Sequence, residues 1–196
     1  MPSLIVATRN PGKLREILQV LGPGIDLKSL ADFPEIPDIL EDGDTFEANA
    51  VKKAHTVARH TGRPALADDS GLEVDALDGA PGIYSARFAG EGATDQTNNA
   101  RLLHLLDGIP EKKRTARFRC AIAIATPDGT VRTAEGCCEG RILHSPRGSG
   151  GFGYDPLFLL PERGLTFSEL SPEEKNRISH RERALRAARP LILEIL

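Results

Sequence analysis

The sequence predicts an α/β protein built on a mixed sheet. Three observations lead there. Short apolar runs alternate with segments of helical period along the chain. A strand at 116–125 and the returning strand or strands within 131–143 are joined by the turn Pro127-Asp128-Gly129 and read as a hairpin. No repeat, low-complexity tract or long linker divides the 196 residues, so the chain fits one domain or one domain with two lobes.

Leu4–Ala7 is a short apolar run and reads as a buried strand. Leu14, Ile17, Leu18 and Leu21 recur at helical spacing, and Gly22-Pro23-Gly24 ends that helix. Residues 32–44 are rich in Pro, Asp and Glu and read as an exposed loop. Asp44 and Glu47 have capping-box spacing, and Phe46, Ala50, Ala54, Val57 and Ala58 give the next helix its apolar stripe up to Gly62. Ala65–Ala67 is a strand running into Asp68-Asp69-Ser70-Gly71, and Leu72–Leu77 is a second strand. Thr94 starts a helix that carries Leu102, Leu103 and Leu106. Arg147–Gly153 holds four glycines, which makes a mobile or tightly turned loop before a strand at Pro156–Leu160. Ser171-Pro172-Glu173-Glu174 starts a helix, Ser179 and Glu182 form a second capping box, and Pro190 kinks or ends the last helix.

Composition excludes several classes. Hydrophobic content of 40% and charged content of 27% are those of a soluble globular protein. Trp is absent, so aliphatic side chains must supply most of the core. A net charge of −3 argues against a nucleic-acid polymer as partner, although a local basic cluster can still hold a small anion. Cys120, Cys137 and Cys138 are odd in number, without zinc spacing, and read as reduced, buried side chains. No apolar run is long enough for a signal peptide or a membrane span, so a cytoplasmic protein without a membrane partner is expected.

Several stretches carry chemistry. Thr8-Arg9-Asn10-Pro11-Gly12-Lys13 joins a buried strand to a helix, where backbone N–H groups and the helix dipole favour anions and Lys13 adds a point charge. It is not a Walker A loop, and an ordinary turn fits it equally well. Asn49 and Lys53 lie four residues apart beside the apolar stripe and can reach a phosphate together, or form a polar flank. Asp68-Asp69-Ser70-Gly71 places two carboxylates side by side, which suits a divalent cation and an activated water; the plain alternative is a turn closing a hairpin. Glu41-Asp42-Gly43-Asp44 offers further acidic ligands or a solvated loop. Phe152-Gly153-Tyr154-Asp155 offers rings to stack on a base and a carboxylate to accept from one, or simply begins a strand core. Ser179-His180-Arg181 sets cations at a helix start, against the dipole, as a ligand would require.

These blocks together resemble the non-canonical purine nucleoside triphosphate pyrophosphatases, the inosine/xanthosine triphosphate pyrophosphatase family of house-cleaning enzymes. The resemblance spans essentially the full chain. It rests on Ala7-Thr8-x-Asn10-x-x-Lys13, on Glu41-x-Gly43-x-Thr45-Phe46 with Asn49-Ala50, and on Ala67-Asp68-Asp69-Ser70-Gly71-Leu72. It rests further on Gly79-Ala80-Pro81-Gly82-Ile83-Tyr84-Ser85-Ala86-Arg87, on Gly150-Gly151-Phe152-Gly153-Tyr154-Asp155-Pro156, and on Lys175 with Ser179-His180-Arg181. It implies two α/β lobes around a long mixed sheet with the active site in the cleft between them, and a homodimer. It implies hydrolysis of ITP, dITP and XTP to the monophosphate and pyrophosphate with Mg2+.

By the same resemblance Thr8–Lys13 binds phosphate. Asp69 is the general base and lies at the metal, with Glu41 as the other metal ligand. Ser70, Phe152, Gly153, Tyr154, Asp155, Lys175, His180 and Arg181 bind the nucleotide. Two departures stand out: Arg9 replaces a smaller residue, and Ala48 stands before Asn49 where many members carry an acid. Lys13, Lys53 and the metal are expected to neutralise the leaving pyrophosphate, and Asp68 to support the metal. Two rivals share the pocket: a non-catalytic nucleotide sensor, and a pyrophosphatase for modified pyrimidines.

Overall fold

A computed structural model of the chain describes residues 3–196. Five helices and seven strands are named in chain order: β1 Ser3–Val6, α1 Pro11–Leu21, β2 Asp26–Ser29, α2 Phe46–Thr61, β3 Ala65–Val74 and α3 Asp95–Leu105. There follow β4 Thr115–Ala125, β5 Val131–Ile142, β6 Phe158–Leu160, β7 Leu165–Thr166, α4 Pro172–Ile178 and α5 His180–Ile195. The strands form one sheet in the order β2-β1-β3-β4-β5-β6-β7. β1 pairs in parallel with β2 and β3, whereas β6 pairs antiparallel with β5 and β7. The sheet is mixed, as the sequence predicts.

The chain divides into two compact units. The first comprises the chain through Asp69, Cys120–Gly136 and His180–Leu196. Its core is aliphatic: Leu4, Val6, Ile17, Leu66, Ile122, Ile124 and Leu185 are buried together. The second comprises Ser70–Arg119 and Cys137–Ser179. Its core contains Leu72, Leu102 and Leu157 with the rings of Phe118, Phe158 and Phe167, whose centroids lie 4.6–5.7 Å apart. Ring pairs at that spacing add attraction beyond their buried area. Among the described residues no helix is long and apolar enough to cross a membrane.

The structure corrects three local expectations. The acidic quartet is not a turn: Asp68–Gly71 lies inside β3, one unbroken strand from Ala65 to Val74. Each side chain there alternates in direction, so the neighbouring carboxylates need not repel. The cap of α2 is Thr45, whose hydroxyl accepts from the Ala48 N–H at 3.0 Å, and Glu47 instead accepts from the Thr133 hydroxyl. Pro190 does not end α5, which continues to Ile195. Pro190 is exposed, so the lost backbone bond falls where water can replace it. Of the two readings of the four-glycine loop, the tightly turned one fits: Gly150 donates its N–H to the Ser168 carbonyl and accepts from the Ser168 hydroxyl. β2 and β7 carry no usable apolar alternation and escape sequence reading.

Candidate active site

In the first unit, α1 begins at Pro11, with Asn10 as its cap. The Asn10 side-chain oxygen accepts from the N–H groups of Gly12 and Lys13 at 2.8 and 3.1 Å. These are the donors a helix start would otherwise offer to an anion. The turn therefore contributes chiefly the Lys13 ammonium. Arg9 pairs with Asp38 at 2.9 Å and donates to the Ile36 carbonyl at 2.5 Å, tying the 33–45 loop to this turn.

Lys13 reaches Asp68 at 3.1 Å. The same carboxylate oxygen accepts from Nε and a terminal nitrogen of Arg181, both at 3.2 Å. Arg181 also pairs with Glu16, and all of Glu16, Asp68 and Arg181 are buried. Burial alone would raise the Asp68 pKa, but Lys13, Arg181 and Lys53 outweigh it and hold the carboxyl well below its usual range. Burial would likewise lower the Arg181 pKa, and Asp68 and Glu16 reverse this. Asp68 is thus a fixed anion that organises two cations.

Asp69, the next residue of β3, has a different set of partners. Asn49 donates its side-chain N–H to Asp69 at 2.9 Å and accepts from the Gly43 N–H at 2.8 Å. A Cβ on Gly43 would lie 2.8 Å from the Asn49 oxygen, so this approach requires glycine. Lys53, one helical turn after Asn49, donates to Glu41 at 2.5 Å and to the Asp68 backbone carbonyl at 2.6 Å, and stands 3.9 Å from Asp69. Burial tends to lower the Lys53 pKa, yet the charges of Asp68, Glu41 and Asp69 raise it overall. For Asp69 burial dominates and pushes its pKa up, with Lys53 and Lys13 opposing and Glu41 assisting. A carboxylate so raised is a better proton acceptor than an exposed one. His180 and Arg181 open α5, and both are buried. A Cβ on Gly136 would run into the His180 carbonyl and the Ala184 amide, so β5 approaches this helix start too closely for any other residue.

In the second unit, Asp155 accepts from the Phe152 N–H at 3.0 Å and from Lys175 at 2.6 Å. The Lys175 ammonium stands 4.7 Å from the Phe152 ring centroid and 5.6 Å from that of Phe167. This is a cation held between a carboxylate and two ring faces. Tyr154 is in the core, and its hydroxyl donates to the Ser85 carbonyl at 2.7 Å. Its ring is a packing element, as the plain strand-core reading has it. Ser70 is half-buried in β3, and Ser179 is buried.

The expected residues therefore fall into two groups. Thr8–Lys13, Glu41, Lys53, Asp69, His180 and Arg181 are in the first unit, and Ser70, Phe152–Asp155 and Lys175 in the second. Sequence reading misses Glu16, although its position three residues after Lys13 puts both on one helix face. It also misplaces Asn49, which is fully buried and holds Asp69 rather than reaching outward.

Residues 4–191 match the model of the Ham1 family. The chain belongs to the Ham1 family. It is 57% identical over 190 residues to a dITP/XTP pyrophosphatase of Desulforamulus reducens, which covers 96% of this chain and 94% of the relative. It is 59% identical over 186 residues to a dITP/XTP pyrophosphatase of Geobacter sulfurreducens, covering 94% of each. Among solved Ham1 structures, a HAM1 protein from Coxiella burnetii matches with a TM-score of 0.89 and 41% identity, over 99% of this chain and 100% of that one.

Proposed function

We propose that this Ham1 chain hydrolyses dITP, XTP and ITP to the nucleoside monophosphate and pyrophosphate, removing non-standard purines from the nucleotide pool. The observation that carries this is the setting of Asp69. It is buried, oriented by Asn49, and flanked by Lys53 and Glu41. The names of the two bacterial relatives support the same reaction.

Asp69 is the general base. Its carboxylate orients a water and takes its proton as the water oxygen attacks the α-phosphorus. The bond from that phosphorus to the bridging oxygen breaks, and pyrophosphate leaves. Asn49 fixes the carboxylate by one oxygen, so the attack direction is set before substrate arrives. Lys13 and Lys53 stabilise negative charge on the triphosphate. The Thr8–Lys13 turn is proposed as the phosphate contact through Lys13, with Thr8, Arg9, Asn10, Pro11 and Gly12 shaping it.

Mg2+ is the proposed cofactor. Among the described residues no group of three or more His, Cys, Asp or Glu could hold a metal alone. Glu41 and Asp69 fit magnesium on a different ground. That ion takes few protein carboxylates and fills its other positions with phosphate oxygens and water. Both carboxylates here already converge on one positive charge, that of Lys53. When bound, the ion supplies charge neutralisation at the triphosphate.

Base choice follows from donors and acceptors. Hypoxanthine and xanthine carry a carbonyl at C6 where adenine carries an amino group. A donor there, from Arg181 or a backbone N–H, bonds the first two and is left unpaired by adenine. An unpaired buried donor costs about 1–3 kcal/mol, enough to discriminate. Ser70, Phe152, Gly153, Tyr154, Asp155, Lys175 and His180 complete the proposed nucleotide contacts. We assign the protein as a homodimer, which sedimentation at micromolar concentration tests.

The deciding experiment is product analysis across a nucleotide panel with magnesium. Pyrophosphate and monophosphate from ITP, dITP and XTP, with ATP, TTP and UTP largely spared, is the expected result. Inosine diphosphate plus phosphate would overturn the cleavage position. Intact ITP would favour a sensor, and preference for TTP or UTP a pyrimidine enzyme.

A further inference from the structure

We propose that Asp95 and Asn99, on the first turns of α3, are positioning residues for base recognition, acting by gripping Gly153. The inference rests on the assignment of Phe152, Asp155 and Lys175 to nucleotide binding.

Gly153 lies inside the Phe152–Asp155 turn. Its φ is +62°, in the left-handed region, where its neighbours gain no help from a strand or helix. α3 takes hold of both of its polar groups. The Asp95 carboxylate accepts from the Gly153 N–H at 2.7 Å. The Asn99 side chain donates to the Gly153 carbonyl at 3.0 Å. One residue of a turn is thus clamped, donor and acceptor, by two side chains one helical turn apart, 58 and 54 positions away in sequence.

What the clamp aims is the pair on either side. Phe152, just before Gly153, offers its ring to Lys175 and its N–H to Asp155. Asp155, two residues after, holds both contacts on one oxygen. Tyr154 is anchored separately to the Ser85 carbonyl. Rotation at Gly153 is the motion that would carry Phe152 away while leaving Tyr154 in place, and Asp95 and Asn99 oppose it. Neither belongs to the motif blocks that carry the family resemblance. Asn98, between them in α3, faces elsewhere: it bonds the Ala86 carbonyl and the Ala89 N–H. α3 therefore anchors two loops of its unit through different side chains.

Neither residue is expected to touch the reacting phosphates, so the signature is in binding and selectivity. KM and kcat for ITP and ATP are measured on the full chain for Asp95→Ala, Asp95→Asn, Asn99→Ala, Asn99→Asp and Phe152→Ala. Asp95→Ala and Asn99→Ala are expected to raise KM for ITP about five- to tenfold, the worth of one hydrogen bond, with kcat within about twofold. The preference for ITP over ATP should narrow. Asp95→Asn should recover most of the loss because its amide oxygen still accepts, whereas Asn99→Asp should not because it cannot donate.

Asp95 also lies in the first turn of α3, where its charge suits the helix dipole, so Asp95→Ala can lose stability for that reason alone. Asn99→Ala is free of that effect and carries the test if Asp95→Ala does not fold. Unchanged KM and selectivity in folded Asn99→Ala and Asn99→Asp, with Phe152→Ala impaired, would overturn the clamp only. An unimpaired Phe152→Ala would instead overturn the nucleotide-binding assignment beneath it.

Discussion

Among the described residues, the first unit buries six charged side chains, Glu16, Lys53, Asp68, Asp69, Arg181 and Glu182, while its core cluster contains no aromatic ring. The second buries three, Arg114, Asp155 and Lys175, and packs four aromatic side chains into its core. Their charges are matched by different means. Asp68 faces Lys13 and Arg181, and Arg181 faces Glu16, so each ion is answered by another. Arg114 instead donates to the backbone carbonyls of Leu106, Ile142 and Leu143 at 2.8–2.9 Å. Lys175 leans on ring faces as well as on Asp155. The first unit, where phosphates and a cation are proposed to bind, keeps charge in reserve, and burial is what makes that charge strong. The second unit, where a flat base is proposed to bind, keeps rings and a held turn.

The largest expected effect comes from the base proposed in the first unit. Asp69→Asn should lower kcat for ITP by about 10²–10⁴-fold with little change in melting temperature, because a charge that burial disfavours is being removed. Steady-state kinetics beside a thermal melt check both halves, and a variant with near-normal kcat would break the contrast. Glu16→Leu comes next. It strips a partner from buried Arg181 and should cost about 3–5 kcal/mol in denaturant unfolding. A neutral result would mean that the charge chain is not matched pair by pair.

The second unit should respond more mildly and without electrostatic character. Phe158→Leu removes one ring from a cluster of three and should cost about 1–3 kcal/mol, with no dependence on salt. Equal salt sensitivity of this variant and Glu16→Leu would erase the distinction between the units. The smallest effect is chemical. Burial and the nearby Asp68 charge push the Cys120 thiol up to about 12, so it should resist iodoacetamide at pH 8 until the chain unfolds. Half-buried Cys137 should be alkylated first, though slowly, because its thiol is also raised by burial and by Glu139. Peptide mass spectrometry reads the order.

Much of this was open to sequence reading because it is local. The period of α1, the apolar stripe of α2, the Ser171 cap of α4, and the β4–β5 hairpin follow from side-chain spacing over a few residues. So did the candidate catalytic residues, since carboxylates, lysines and glycines in short ordered blocks carry their chemistry with them. What escaped were statements about partners. Asp68-Asp69-Ser70-Gly71 has the composition of a turn, and only pairing with neighbouring strands keeps it extended. Asp26–Ser29 becomes a strand because β1 offers backbone partners, not because of its own side chains.

The sequence by itself determined most element types, the acidic and basic blocks, and the family. The tertiary structure alone decided who faces whom: that Asp69 is held by Asn49, that Asp68 is spent on Lys13 and Arg181, and that Glu16 closes that chain. It also decided that Tyr154 packs while Phe152 meets Lys175. The reason is range. Propensity and period act over a few residues, whereas the worth of a charge or a ring depends on burial and on partners supplied by segments as far as 165 positions away.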